Sequence, residues 1–213
     1  MISENEFLQQ LKKALIHHLP GEKAHAKMAP VSRPLSSLAL KHATVIRESA
    51  VAVVLYEEDN LIKCILTQRP EYDGKHGGQV SFPGGKKEPE DLDLEYTARR
   101  ECFEEVGIPI HEGELVGKLT EVFIPVSSFL VQPFVYFHSS KPPLERNLRE
   151  VEEILHFPLF DLLEEHRVLT MDLLQPNGTK YTDVPYFNLV EKKVWGATAL
   201  ILNELKEVLK LLV

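Results

Sequence analysis

The chain has 213 residues, 44% hydrophobic and 26% charged, with 14 prolines and 11 glycines, a composition that excludes disordered and collagen-like classes. Twenty-four basic against 32 acidic side chains give a formal charge of -8, which argues against a dedicated nucleic-acid surface, since phosphate neutralisation needs clustered Lys and Arg. No apolar run approaches the roughly 20 residues needed to cross a bilayer, and two cysteines, Cys64 and Cys102, make neither a disulfide scaffold nor a zinc site. One moderate domain with reduced, packed thiols is expected, and a cytoplasmic location.

In chain order, residues 3–19 have the apolar spacing of an amphipathic helix through Phe7, Leu8, Leu11 and Leu15, and do not read as a secretory signal. A connector follows to about residue 44, and this 1–44 segment is free to cover the domain or to pack on a second subunit. Residues 49–56 and 61–67 are β-rich runs split by EEDN, the pattern of a hairpin. The polar, glycine-rich stretch RPEYDGKHGG at 69–78 predicts a loop, QVSF a short strand, and Pro83, Gly84 and Gly85 a turn.

Residues 92–106 predict a helix, stopped by Gly107 and Pro109. Strands are expected near 114–124, 129–138, 167–174 and 183–189, a strand passing into a short helix near 158–165, and a closing helix in TALILNELKEVLKLL. Strands dominate the middle with helices interrupting them, so an α+β fold with a mixed β-sheet is favoured over a doubly wound parallel one.

On a wheel at about 100° per residue, Leu92, Tyr96, Cys102, Phe103 and Val106 fall on one side of the 92–106 helix. Glu101, Glu104 and Glu105 share an arc on the other. Like charges at these spacings each destabilise a helix by roughly 0.2–0.5 kcal/mol, and near its C-terminus they oppose the helix dipole. A hard divalent cation such as Mg²⁺ or Mn²⁺ reverses that sign by taking carboxylate oxygens as ligands. The competing reading is a solvated acidic face, which for an isolated Glu-Glu pair is the commoner case.

The order Gly85, Asp91, Arg100, Glu101, Glu104, Glu105, Gly107, Ile108 resembles the signature of the Nudix hydrolases, and RECFEEVGI meets that family's pattern of Arg-Glu, apolar, any, Glu-Glu, any, Gly, apolar. The first acid is Asp, and eight residues separate it from Arg100 where the family usually has seven. Residues 65–85 and the stretches PVSSFLVQPFV and VWGATALIL also resemble the coenzyme A pyrophosphatase branch. Leu66, Thr67, Arg69, Gly78, Phe82, Pro83, Gly84 and Gly85 fit its extra motif. Ile65, Pro70 and Gly74 depart from it, Gly74 standing where the branch has an Arg able to clamp a phosphate.

The resemblance implies a Nudix-like α/β/α sandwich over 45–213. It also implies metal-dependent hydrolysis of a nucleoside diphosphate derivative, with coenzyme A or its thioesters favoured. Adenosine 3′,5′-bisphosphate and 4′-phosphopantetheine would be the products. The metal ligands would be Glu101, Glu104, Glu105 and the Gly85 carbonyl, with Arg100 holding a glutamate rather than touching substrate. Arg69, Lys75, Gly84 and Gly85 are the substrate-binding candidates. Glu150 and Glu153, in REVEEIL, rank below the helix acids as candidates for the general base. Another nucleoside diphosphate derivative such as ADP-ribose, or a nucleotide-sensing module without turnover, are the alternatives. No membrane partner is expected, and a homodimer is permitted.

Overall fold

The computed structural model describes residues 4–70, 78–174, 178 and 180–212. In chain order they form helices α1 (Glu4–His17), α2 (Glu22–Ala26) and α3 (Ser36–Lys41), then strands β1 (Arg47–Glu58), β2 (Leu61–Gln68), β3 (Val80–Ser81) and β4 (Gly84–Lys86). Helix α4 (Leu94–Val106) leads to β5 (Glu114–Lys118), β6 (Val122–Ile124), β7 (Phe129–His138) and β8 (Glu153–Pro158). Two 3₁₀ turns precede β9 (Val168–Leu174), β10 (Lys180–Leu189), β11 (Lys192–Val194) and helix α5 (Gly196–Leu209). The connector expected before residue 44 thus contains two short helices, and Gly84 and Gly85 of the turn expected at 83–85 lie in strand β4, with Pro83 just before it.

Asp59 and Asn60 both adopt positive φ, the two-residue geometry that matches strand twist, so β1 folds back antiparallel onto β2. β1 also pairs in parallel with β7 along Arg47–Tyr56, which makes the sheet mixed. Only the end of β1, Leu55–Glu58, bonds to β2; its earlier residues Ser49–Val51 bond to β4, while Thr67 and Gln68 of β2 bond to β3. The two strands therefore splay, and the segment from Val80 to Lys86 is wedged between them. On the other edge of β7, β5 and β6 are separate partners, and Gln132 Nε2 donates to the Leu119 carbonyl at 2.8 Å where Pro133 interrupts the ladder. β9, β10 and β11 form a second, antiparallel sheet.

Alternation along β1 sends Ala50, Ala52, Val54 and Tyr56 to one face and Val53 and Leu55 to the other, and both faces are covered. On the first face the alanines leave room for Ala98, Cys102 and Val106 of α4. On the second, Phe7, Leu11 and Leu15 of α1 share a core with Leu202, Leu205 and Leu209 of α5. Helices thus lie on both faces of the mixed sheet, as expected. Cys64 and Cys102 are both buried and free.

Candidate active site

Helix α4 begins at Asp93, whose carboxylate accepts from the Tyr96 N–H at 2.8 Å, and ends at Gly107 in the left-handed region, φ 78°. The buried stripe of the helix is Thr97, Ala98, Cys102, Glu105 and Val106. This corrects the wheel: Leu92 and Phe103 are 86% and 49% exposed, whereas Glu105 is 3% exposed. Leu92 lies before the helix and Phe103 faces out, so a carboxylate occupies the turn of the stripe nearest the wedge.

That wedge explains the two glycines. A Cβ on Gly84 would lie 2.4 Å from the Ala50 carbonyl oxygen, so only glycine lets β4 pair against β1 there. A Cβ on Gly85 would lie 2.4 Å from Glu101 Cδ, so the bare backbone is what leaves space for that carboxylate. The Gly84 N–H donates to Glu105. The Arg69 guanidinium stands 3.6 Å from Glu105 Oε1, yet Oε2 is buried without a hydrogen-bond partner. Burial pushes the Glu105 carboxyl up to about 8, against the pull of Arg69 and with the repulsion of Glu101 and Glu150 added. Glu101 is likewise raised, first by burial, with Arg100 opposing and Glu104 and Glu150 adding repulsion.

Arg100 holds this group together. Its Nε and Nη2 donate to the two oxygens of Asp91 at 2.8 and 2.9 Å, Nη1 to Glu101 at 2.9 Å and Glu104 at 3.0 Å, and Nη2 also to the Lys86 carbonyl at 3.0 Å. All five of its N–H groups are committed. Asp91, to which the sequence reading gave no role, is buried and also accepts from the Glu88 N–H and the Thr97 hydroxyl. The Arg100 guanidinium holds its carboxyl well below the usual carboxylate range. Its place in the signature was the available signal, and the extra residue before Arg100 obscured it.

The remaining candidates separate. Past Gly107 the chain returns over the end of α4: the Glu145 N–H donates to the Val106 carbonyl at 2.9 Å and the Asn147 N–H to the Glu105 carbonyl at 3.0 Å. These satisfy carbonyls that a helix end leaves open, and the following turn carries exposed Glu150 into the field of Glu101 and Glu105. Glu153 opens β8 and pairs with Lys192 at 3.0 Å instead. Lys75 and Gly74 lie outside the described residues. Glu104 is exposed and, apart from Arg100, faces outward. Among the described residues, no three acidic, His or Cys side chains are already gathered in ligating positions, because Arg100 draws Glu101 and Glu104 to itself.

The NUDIX domain family matches residues 46–181, which contain the wedge, α4 and the returning loop. The chain belongs to the Nudix family. It is 33% identical over 143 residues to the uncharacterized Nudix hydrolase NudL of Yersinia pestis, covering 67% of this chain and 70% of that one. Its fold is similar to a MutT/nudix family protein from Enterococcus faecalis, with TM-score 0.51, 14% identity and 89% and 73% of the two chains covered. It is also similar to the Nudix hydrolase RenU from M. smegmatis, with TM-score 0.50, 14% identity and 78% and 87% covered. Membership places this Nudix chain among hydrolases of the pyrophosphatase type. Among its described residues, no helix is long and apolar enough to cross a membrane.

Proposed function

We propose that this Nudix chain hydrolyses the diphosphate of coenzyme A or an acyl-coenzyme A, with Mg²⁺ or Mn²⁺ held by Glu101, Glu104, Glu105 and the Gly85 carbonyl. The observation that carries the metal site is the buried, partnerless Oε2 of Glu105 beside Glu101, in a cradle that a Cβ on Gly85 would fill. A buried carboxylate with one oxygen left without a partner is costly by itself and suits a hard cation. Such an ion supplies charge neutralisation on the phosphate oxygens and acidifies water at neutral pH.

The chain's own residues do the positioning. Arg100 has no donor left for substrate and acts by fixing where Glu101 and Glu104 sit. Burial raises the Glu105 carboxyl of the metal-free chain to about 8, so a cation held there would release its proton. The helix acids are the first candidates to accept the proton of the attacking water, and Glu150 the next, since it faces them from the returning loop. Arg69 is the proposed cation for the anionic substrate, a reading supported by its position 3.6 Å from Glu105.

Coenzyme A is favoured over other diphosphates by the motif at 65–85. Gly74 in place of the branch's Arg favours the second reading, a derivative without the 3′-phosphate such as ADP-ribose. Purified protein with Mg²⁺ or Mn²⁺ should convert coenzyme A to adenosine 3′,5′-bisphosphate and 4′-phosphopantetheine, faster than it cleaves dephospho-coenzyme A or ADP-ribose, as read by product chromatography. Equal or reversed preference between coenzyme A and its dephospho form rejects 3′-phosphate recognition.

A further inference from the structure

The edge of a sheet presents a row of N–H and C=O groups that a further strand or a covering element must satisfy. In the mixed sheet, the N-terminal segment covers two such edges. At β6 the Phe123 N–H donates to Ser36 Oγ at 3.0 Å, and the Phe123 carbonyl accepts from Arg33 Nη2 at 2.8 Å. At β5 helix α1 packs alongside, and Lys12 pairs with Glu114. The segment is thereby spent on its own chain. β9 differs: it bonds to β10 alone, and among the described residues no other backbone group pairs with its outer edge.

Nothing in the sequence of β9, VLTMDLL, blunts that edge. It has neither Lys nor Pro, and the bulge of the pair falls on β10 between Tyr181 and Val184. Pro185 has no N–H, so its partner Thr170 is not a residue that exchanges both bonds with β10. Alternation then turns the N–H and C=O of Thr170 and Asp172 outward. Leu169, Met171 and Leu173 share one face with Tyr186, Val184 and Tyr181 of β10, and Leu169 is 42% exposed. Asp172 carries the strand's one charge; it pairs with Lys180 at 2.7 Å and accepts from the Asp183 N–H.

We propose that β9 pairs antiparallel with β9 of a second copy about a two-fold axis at Met171, joining two three-stranded sheets into one continuous sheet. The charge and the outward groups select that register. An axis at Asp172 sets two carboxylates directly opposite, which is destabilising. An axis at Thr170 sets each carboxylate against Val168 and leaves Leu173 without a partner in β9. With the axis at Met171, Thr170 and Asp172 exchange their outward bonds in both directions, and each carboxylate faces a hydroxyl. Leu169 then meets Leu173 of the second copy, and all seven residues overlap, a length of about 24 Å. A foreign strand would have to reproduce this pattern, whereas a second copy carries it by symmetry.

The test is sedimentation equilibrium of the full chain, with disulfide trapping to read the register. A reversible dimer with a dissociation constant on the order of 10–100 µM is expected, in keeping with a small interface. Thr170→Pro removes an outward N–H while keeping the bonds to β10, and should weaken the dimer about tenfold or more with unchanged circular dichroism. Met171→Lys, which sets like charges across the axis, should do the same. Antiparallel residues that face each other without exchanging bonds have Cα atoms about 4.5 Å apart, within reach of a disulfide. Met171→Cys should therefore cross-link on mild oxidation, and Leu169→Cys should not; Cys64 and Cys102 are buried and do not compete. A chain that stays monomeric at millimolar concentration, a dimer undiminished in folded Thr170→Pro or folded Met171→Lys, or trapping at residue 169 as strong as at 171 overturns the proposal.

Discussion

Glu105 is where a single side chain departs most from its surroundings. Its carboxyl titrates near 8 in the fold against 4.5 ordinarily, so between those values the folded chain keeps a proton that the unfolded chain has released. Stability of the metal-free protein therefore falls as pH rises through that window. Glu105→Gln should flatten this dependence and, above pH of about 8, stabilise the metal-free protein by about 1–3 kcal/mol, an uncompensated buried charge having been removed. Denaturant midpoints in chelator at several pH values check both. The same substitution should lower turnover by about two orders of magnitude or more, if the carboxylate holds the ion. Near-normal activity in Glu105→Gln and Glu104→Gln together would remove the acids from the chemistry. The shared face of the three acids was legible from spacing and Arg100 came with the resemblance to the family signature, but the burial of Glu105 was not legible. A wheel ranks residues by polarity, and it placed Phe103 inward; the depth of the wedge at Gly84 and Gly85 decides the matter instead.

At the scale of elements, two hairpins show what local chemistry announces. The β1–β2 turn is built on Asp59 and Asn60, residues that accept positive φ, and the reading of EEDN as a turn holds. The β10–β11 turn places Val190 and Glu191 in the same region, φ 43° and 60°, and without Asn or Gly there was no signal for β11. A β-branched residue there is strained, by roughly 1–2 kcal/mol. The double variant Val190→Asn, Glu191→Gly should raise stability by about 1–2 kcal/mol in equilibrium unfolding, with the fold unchanged. Helices α2 and α3 were missed for another reason. At five and six residues they are too short for a periodic pattern, and packing on α5 and β6 holds them.

Across the whole molecule, one buried carboxylate adds a polar fastening for the N-terminal segment to the core packing of α1. Glu204, on α5, accepts from the Gly21 N–H at 3.0 Å, the Thr120 N–H at 2.9 Å, the Thr120 hydroxyl at 2.6 Å and His25 at 3.1 Å. Burial pushes this carboxyl up, but these donors outweigh it and its pKa lies below the ordinary value. Glu204→Ala strands those donors in the interior, and a loss of about 3–5 kcal/mol is expected, measured by chemical denaturation. The α+β class was legible because alternation and periodicity report which faces are apolar, and the sandwich followed from the resemblance to the family. A contact between residues 21 and 204 carries no such periodic trace, so the fastening was not.

Because Arg100 spends every donor on Asp91, Glu101, Glu104 and the Lys86 carbonyl, the strand-to-helix crossing is locked before any ligand arrives. We propose that choice of substrate rests on residues that border this lock without belonging to it, Arg69 and Glu150 among them. On that proposal, rewriting those borders would exchange one substrate for another while the hydrolytic apparatus stays untouched.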